Sequence, residues 1–527
     1  MGGSLTTSFS RNIDKSTKRR ITPPFYRHCD PELSVSPRDI GKCRGWSYLA
    51  QLAQPDNAMM KMLQFAVFVC TCIALKVQAE AFPSAYAAPD GPPILFTNAT
   101  ILDGAGARYD NTSLYLSDGK VMWIGSGETG PGTVIIDATD RWITPGLIDV
   151  HSHLGVYPSP GVAAHSDGNE ATAPVTAEVW AEHSVWPQDP GFTRALAGGV
   201  TAMQILPGSA NLFGGRGVTL KNVSSLSYQG MKFPGAPHGL KMACGENPKR
   251  VYGNRDQSPS TRMGNVAAYR SAWIRAQRYQ ADWDRYYEAV ADAESAATNG
   301  SDGASVADAL LTNTPPRRNL ELETLAGALR GDILVHMHCY RADEMLTILD
   351  MAEEFGYRVG TFHHGVEAYK IADQLAENDV CGALWADWWG FKIEAYDGIQ
   401  ENIALVDRPE GGCAIVHSDS AEGIQRLNQE AAKAMLRGNR AGLDIPPERA
   451  IRWITSNAAK SLGIQDLTGT LEAGKMADVV LWNQNPFSVY AKPLQVYIDG
   501  VMRYELGNPD LSPESDFELG QLMGAAQ

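Results

Sequence analysis

From about residue 93 to residue 505 the hydrophobic positions fall into short runs, most of them closed by Gly, Asp or His. Near the start, "ILFTNATILDG", "SLYLSDGKVMWIG" and "TVIIDATDRWITPG" read as strands split by turns, and Asp118-Gly119 carries a hairpin signal. Near the end, "TGTLEAGKMADVVLW" and "PLQVYIDGVMRYE" read the same way. Between them, "VTAMQIL", "GVTLKNV", "GLKMAC", "ILVHMHC", "RVGTFHH", "CGALWAD" and "CAIVHSD" are strand-like, and helical stretches follow several of them. Such repeated alternation predicts a parallel TIM-type (β/α)8 barrel over residues 146–465. The β-rich ends, 93–145 and 466–510, then form a small composite β-sandwich, with the Thr144–Gly146 turn at the junction. Residues 262–297 break the alternation and predict a long helix, part of an insertion over about 262–330 placed to cap the barrel mouth. Its Trp273, Tyr279, Trp283 and Tyr286–Tyr287 read as a packing stripe.

The segment before residue 93 has a different character. From Met59, Lys61 precedes an apolar run, Leu63 to Leu75, and the small-x-small triplets "VQA" and "AYA" follow. That is the layout of a secretory signal peptide over 59–79, too short to span a bilayer comfortably. Residues 1–58 are polar and aperiodic, a leader that fits translation starting at Met59 or Met60. On that reading the protein is exported.

Composition narrows the partners. The 527 residues are 44% hydrophobic and carry a formal charge of −15, which argues against a polyanion such as nucleic acid or an anionic membrane. A small-molecule substrate is expected, with a homo-oligomer left open. The body has four widely spaced cysteines, Cys244, Cys339, Cys381 and Cys413, and no CxxC pair. Buried free thiols are the expectation, with pairing as the alternative in an exported protein.

In "GLIDVHSHLG", His151 and His153 sit two apart at the end of a strand, so their imidazoles share a face. Active sites of α/β barrels gather at the C-terminal ends of the strands. Reading only those positions adds Lys241 or Glu246 after the fourth strand, His338 after the fifth, His364 after the sixth and Asp419 after the last. Imidazole nitrogens and carboxylate oxygens converging at one rim suit a divalent metal, with Zn2+ the first choice.

These motifs resemble the amidohydrolase superfamily, and its imidazolonepropionase-like branch most of all. "TPGLIDVHSH", "HMHCYRADE", "TFHHGVEAYK", "HSDSAE", "TSNAAKSLGI" and "GTLEAGKMADVVLW" carry the similarity over about residues 93–505, and "GENPKRVYG" resembles a subgroup of that branch. The resemblance implies a metal-bearing barrel that hydrolyses an amide or other C–N bond. It places metal ligands at His151, His153, His338, His364 and Asp419. A deaminase is the alternative within the superfamily, and a non-catalytic scaffold is a distant third.

Neighbouring candidates need separate treatment. His336 shares a strand face with His338 but lies deeper, and reads as a hydrogen-bonded core residue. His363 and His364 are adjacent and cannot both face one side of an extended strand; the resemblance favours His364. His417 is one layer below Asp419, and His183 reads as a surface or lid residue. Lys241 and Glu246 compete for the fourth strand: a carboxylated Lys241 would give oxygens to two ions, whereas Glu246 implies a different site. Asp419 is the expected proton carrier. Tyr340 and Arg341 are candidates for orienting substrate, as is Arg216 in the glycine-rich "GSANLFGGRG" turn, while Asp387 and Trp388 are placed to line the pocket.

Overall fold

A computed structural model describes residues 82–159, 161–298 and 313–511. The leader and the signal-like run at 59–79, with Cys29, Cys43, Cys70 and Cys72, lie outside the described residues. No helix among the described residues is long and apolar enough to cross a membrane.

The two chain ends build one continuous eight-stranded sheet. Its strands are β1 (Ile94–Leu102), β2 (Arg108–Ser117), β3 (Lys120–Gly125), β4 (Val134–Asp137) and β5 (Trp142–Pro145), joined by β14 (Val479–Trp482), β15 (Pro493–Ile498) and β16 (Val501–Glu505). The order is β16-β15-β14-β5-β1-β2-β3, with β4 also on β1. The sheet folds over a core that includes Phe96, Ile101, Leu116, Val479 and Tyr497. Phe96 and Tyr497 meet edge to face with ring centroids 5.5 Å apart.

The second sheet is the barrel. It comprises β6 (Leu147–Ser152), β7 (Val200–Ile205), β8 (Phe213–Lys221), β9 (Gly239–Ala243), β10 (Leu334–Cys339), β11 (Val359–His364), β12 (Cys381–Leu384) and β13 (Ala414–Val416), in sequential order. Its strands are buried almost throughout, as expected when helices cover one face and packed side chains the other. The seam between β13 and β6 is closed just beyond the last strand. There the Asp419 N–H donates to the His151 carbonyl at 3.0 Å. The Ser418 hydroxyl and N–H both donate to the buried Asp149 carboxylate.

One strand departs from the expected parallel order. β8 runs antiparallel to both β7 and β9, because β7 turns directly into β8 through residues 206–212 with no crossover helix. A direct return of this kind can only give an antiparallel neighbour. The junction between the sheet and the barrel is tight at Gly146, where an added Cβ would fall 2.0 Å from Thr201 Oγ1. Lys221 further ties the barrel to the sheet through Asp499 at 2.7 Å and Asp478 at 3.4 Å.

The long helix is present, over Arg262–Thr298, but it does not cap the mouth. Arg262 pairs with Glu344, at the start of helix Ala342–Phe355, whereas Gln277 donates to the Phe355 carbonyl at its end. The two helices therefore run side by side down the outside of the barrel. The first half of the aromatic stripe supplies the packing: Trp273 is fully buried and stacks on Tyr357 with centroids 4.4 Å apart. Toward the far end of the helix the stripe comes to the surface, and Tyr287 is exposed.

The cysteines are not free thiols. Cys244 is bonded to Cys339 and Cys381 to Cys413. Strand register explains both pairs. Ala243 faces His338 and Ala414 faces Gly382, so the position after the first pair and the position before the second each set two cysteines side by side on adjacent strands. Residues far apart in sequence are thereby brought to Cα separations of 5.2 and 4.6 Å, within disulfide reach.

Candidate metal centre

β6 delivers His151, and His153 follows one residue beyond the strand, so both rings turn into the barrel's C-terminal end. His153 Nε2 lies 3.2 Å and His151 Nε2 3.5 Å from Asp419 Oδ1. The His153 ring is fixed from behind, with Nδ1 2.8 Å from the Leu206 carbonyl. Asp419 itself has a left-handed backbone, φ 49°. That conformation, which Asp tolerates better than most residues, turns its carboxylate off the line of β13 toward the two imidazoles.

β11 resolves the problem of the adjacent histidines. Within a regular strand, His363 and His364 would point to opposite faces. His364 instead has φ 73°, and the break in alternation lets both rings enter the interior. His364 stacks on Trp385 at 4.3 Å and lies 4.5 Å, ring to ring, from His338. Donor atoms of His151, His153 and Asp419 lie within 4.8 Å of one another, and so do those of His151, His364 and His417. His417, placed a layer deeper by sequence reasoning, therefore belongs to the cluster; the "HSD" spacing, i and i+2, was its signal.

Lys241 reaches this cluster and Glu246 does not. Lys241 is fully buried on β9 with Nζ 3.2 Å from His151 Nε2, and burial lowers its pKa to about 8. Glu246 opens the helix Glu246–Gly253 and pairs with Lys392 at 3.3 Å. The residue of that loop that touches the cluster is Asn247, whose Nδ2 is 3.3 Å from His338 Nε2. Sequence reasoning passed over Asn247 and Lys392, which donates to Asn247 Oδ1 at 3.0 Å, because nothing in their spacing signals a ligand.

The substrate candidates divide. Tyr340 is buried beside the cluster, its ring 4.9 Å from that of His338, under the Lys392 ammonium at 4.0 Å. Arg341 turns outward and forms a two-pronged pair with Asp343. Arg216 also faces away. Its register neighbour Gly215 stands opposite the inward Lys241, so Arg216 points out of the barrel. There it donates to Thr324 Oγ1 at 2.8 Å and lies over the Trp180 ring. Neither arginine side chain reaches the cluster. Asp387 and Trp388 both line a cleft together with His364 and Trp385, and Asp387 also pairs with Lys433. His183 is half exposed beside Trp180, away from the cluster.

A further chain of imidazoles lies beneath the cluster. His151 Nδ1 is 2.9 Å from His363 Nδ1, His363 Nε2 is 2.9 Å from His336 Nδ1, and His336 Nε2 is 3.2 Å from the Gln204 carboxamide. Burial lowers the pKa of His151, His336, His338, His363, His364 and His417, so these rings are neutral. Neutral imidazole is the form that offers a lone pair to a metal.

The donor set fits a divalent ion. Buried nitrogens of His338, His364 and His417 have no hydrogen-bond partner among the described residues, which is costly unless something else satisfies them. Neutral nitrogens beside a carboxylate are the donor types that zinc and similar ions take.

The amidohydrolase family model matches residues 407–503. A crystal structure of an amidohydrolase from Thermotoga maritima is 35% identical, with TM-score 0.67, covering 78% of this chain and 100% of its own. The amidohydrolase tasK of Hapsidospora irregularis is 33% identical over 415 residues, 74% of this chain, although the match spans only 40% of that longer protein. An imidazolonepropionase of Shewanella halifaxensis is 24% identical, covering 71% of this chain and 86% of its own length. With barrel, composite sheet and histidine cluster in place, the chain belongs to the amidohydrolase superfamily, in its imidazolonepropionase-like branch.

Proposed function

We propose that the protein is a metal-dependent hydrolase of amides, whose substrates are N-acyl amino acids, dipeptides or cyclic amides. The observation that carries this reading is the convergence of His151, His153, His338, His364 and Asp419, with Lys241, at one end of the barrel. These residues would hold one or two divalent ions, Zn2+ first among them, with two favoured if Lys241 is carboxylated. A bound ion would supply an electrophile for the scissile carbonyl and would lower the pKa of water at the site.

The chain's own residues supply the rest. Asp419, beside His151 and His153, is placed to accept a proton on its carboxylate and return it to the leaving nitrogen. Burial opposes ionisation of this carboxylate, but His153, with His417 and Lys241 nearby, holds it below its ordinary range. Tyr340 and the Lys392–Asn247 pair border His338 and orient substrate there. Trp385, stacked over His364, shields that side of the site from water.

The test is a panel of N-acyl amino acids, dipeptides and lactams beside aminated heterocycles. The proposal expects carboxylate release from the amides; ammonia release from the heterocycles alone would establish the deaminase instead.

Export is proposed as well. Two disulfides among the described residues suit an oxidising compartment, which agrees with the apolar run after Met59. N-terminal sequencing of the native protein checks this: a mature chain retaining Met1 would contradict it.

A further inference from the structure

A groove of 590 Å3 opens beside the site, between three separate parts of the fold. The loop after β12 contributes Trp388, the helix Leu427–Arg440 contributes Met435 and Leu436, and the loop between β14 and β15 contributes Phe487 and Val489. Ser420, the neighbour of Asp419, lines it as well. Trp388, Leu436 and Val489 are 43%, 49% and 69% exposed, so large apolar groups from distant segments line a surface left open among the described residues. The lining also carries charge: Lys433 is neutralised by Asp387 and Glu430 at 2.9 and 2.8 Å, and the loop after β13 adds Glu422 and Arg426.

The groove adjoins the cleft at His364, and Trp388 is the side chain that both share. His364 stacks on Trp385 at 4.3 Å, and Trp385 stacks on Trp388 at 5.3 Å. A stack of three rings thus joins a candidate metal ligand to the rim of the groove. The volume is in the range of small-molecule sites, and its apolar lining selects hydrocarbon.

We propose that this groove receives the apolar substituent of the substrate, a medium-length acyl chain on the amide. The inference rests on the amide-hydrolase reading, and it names a part of the substrate which that reading leaves open. Burial of each methylene contributes about 0.8 kcal/mol, roughly fourfold in binding. Such binding acts equally on bound substrate and transition state, so it lowers KM and leaves kcat alone.

The test compares N-acetylglycine with N-octanoylglycine on the full chain, by binding and by hydrolysis, in the wild type and in a Leu436→Asp, Val489→Asp double variant. Both positions are exposed, and a melting curve checks that the variant folds. The expected result is at least tenfold tighter binding of the octanoyl compound, with a correspondingly lower KM wherever turnover occurs, and a preference below threefold in the variant. Equal affinity for the two compounds overturns the proposal, as does an octanoyl preference that survives the substitutions. A variant that loses self-association while keeping the preference also overturns it and assigns the face to a contact between copies. Octanoyl-selective binding without hydrolysis of any amide supports the groove and counts against the hydrolase reading, so the two stand or fall separately.

Discussion

His363 Nδ1 stands 2.9 Å from His151 Nδ1, and this contact sets the tautomer of a candidate metal ligand from behind. The Lys241 ammonium, 3.2 Å from His151 Nε2, requires a lone pair on that nitrogen. His151 therefore carries its proton on Nδ1 and donates it to His363. His363 in turn donates from Nε2 to His336, which donates from Nε2 to the Gln204 carboxamide. The Gln204 side chain can turn end for end to present its oxygen, which has no other partner among the described residues. Every lone pair in the chain then points toward the cluster side. His363→Leu removes the acceptor and lets His151 flip its tautomer. Metal affinity is expected to fall about 10- to 100-fold, as read by competition with a chelator; unchanged affinity would show that the imidazole chain only fills space.

Asp419→Asn keeps the side chain's shape but removes the proton acceptor. Turnover is expected to drop by about 100- to 10,000-fold, with a melting temperature near that of the wild type. A variant retaining a tenth of the activity would assign the proton transfer elsewhere.

Lys241 decides the number of ions. If it is carboxylated, Lys241→Ala should reduce bound metal per chain by about one ion, and bicarbonate should increase metal loading only in the wild type. Two tightly held ions in the alanine variant would leave Lys241 as a buried cation supporting His151.

Acid should destabilise the fold through a second buried polar group, near the start of β9. There Glu182 accepts from Lys232 at 2.7 Å and lies 3.0 Å from His238 Nε2. Burial pushes His238 below its ordinary 6.5, outweighing its hydrogen bond to Glu182. Burial also opposes ionisation of Glu182, but the His238 and Lys232 hydrogen bonds win and hold it below its ordinary 4.5. Both groups bind fewer protons in the folded chain than in the unfolded one. Their contribution is complete above about pH 6.5 and is lost as the pH falls through the His238 range and then the Glu182 range. Melting temperature should therefore decline below about pH 6.5, less steeply in His238→Gln between pH 6.5 and 5; identical slopes would remove His238 from the account.

The Cys381–Cys413 bond closes a segment with a sequence separation of 32 residues and ties β12 to the start of β13. Cys413→Ser with Cys381→Ser should lower unfolding free energy by about 2–4 kcal/mol, measured by denaturant titration. A loss within error would show that the strand pairing alone secures this edge.

How far these features could be read from sequence depends on what a side chain's neighbours reveal. Barrel, composite sheet and the His151, His153, His338, His364 and Asp419 positions were legible because each sits at the end of a periodic apolar run. The reversed β8 was not, since "GVTLKNV" is equally apolar in either direction and only the missing crossover helix distinguishes them. Arg216 misled for the same reason: its facing depends on pairing register with Lys241, which spacing within "GGRG" does not contain. His363 was undervalued because alternation assumes regular backbone, which the positive φ of His364 suspends, and His417 because its depth below Asp419 was read as removing it from the cluster. The disulfides likewise followed from register between strands rather than from any cysteine motif.

The most direct test of the central claim is metal analysis coupled to activity on one preparation. Protein purified without chelator should contain at least one divalent ion per chain. Stripping the ion should abolish amide hydrolysis, and adding Zn2+ should restore both. Hydrolysis that continues undiminished after the ion is removed would contradict the account.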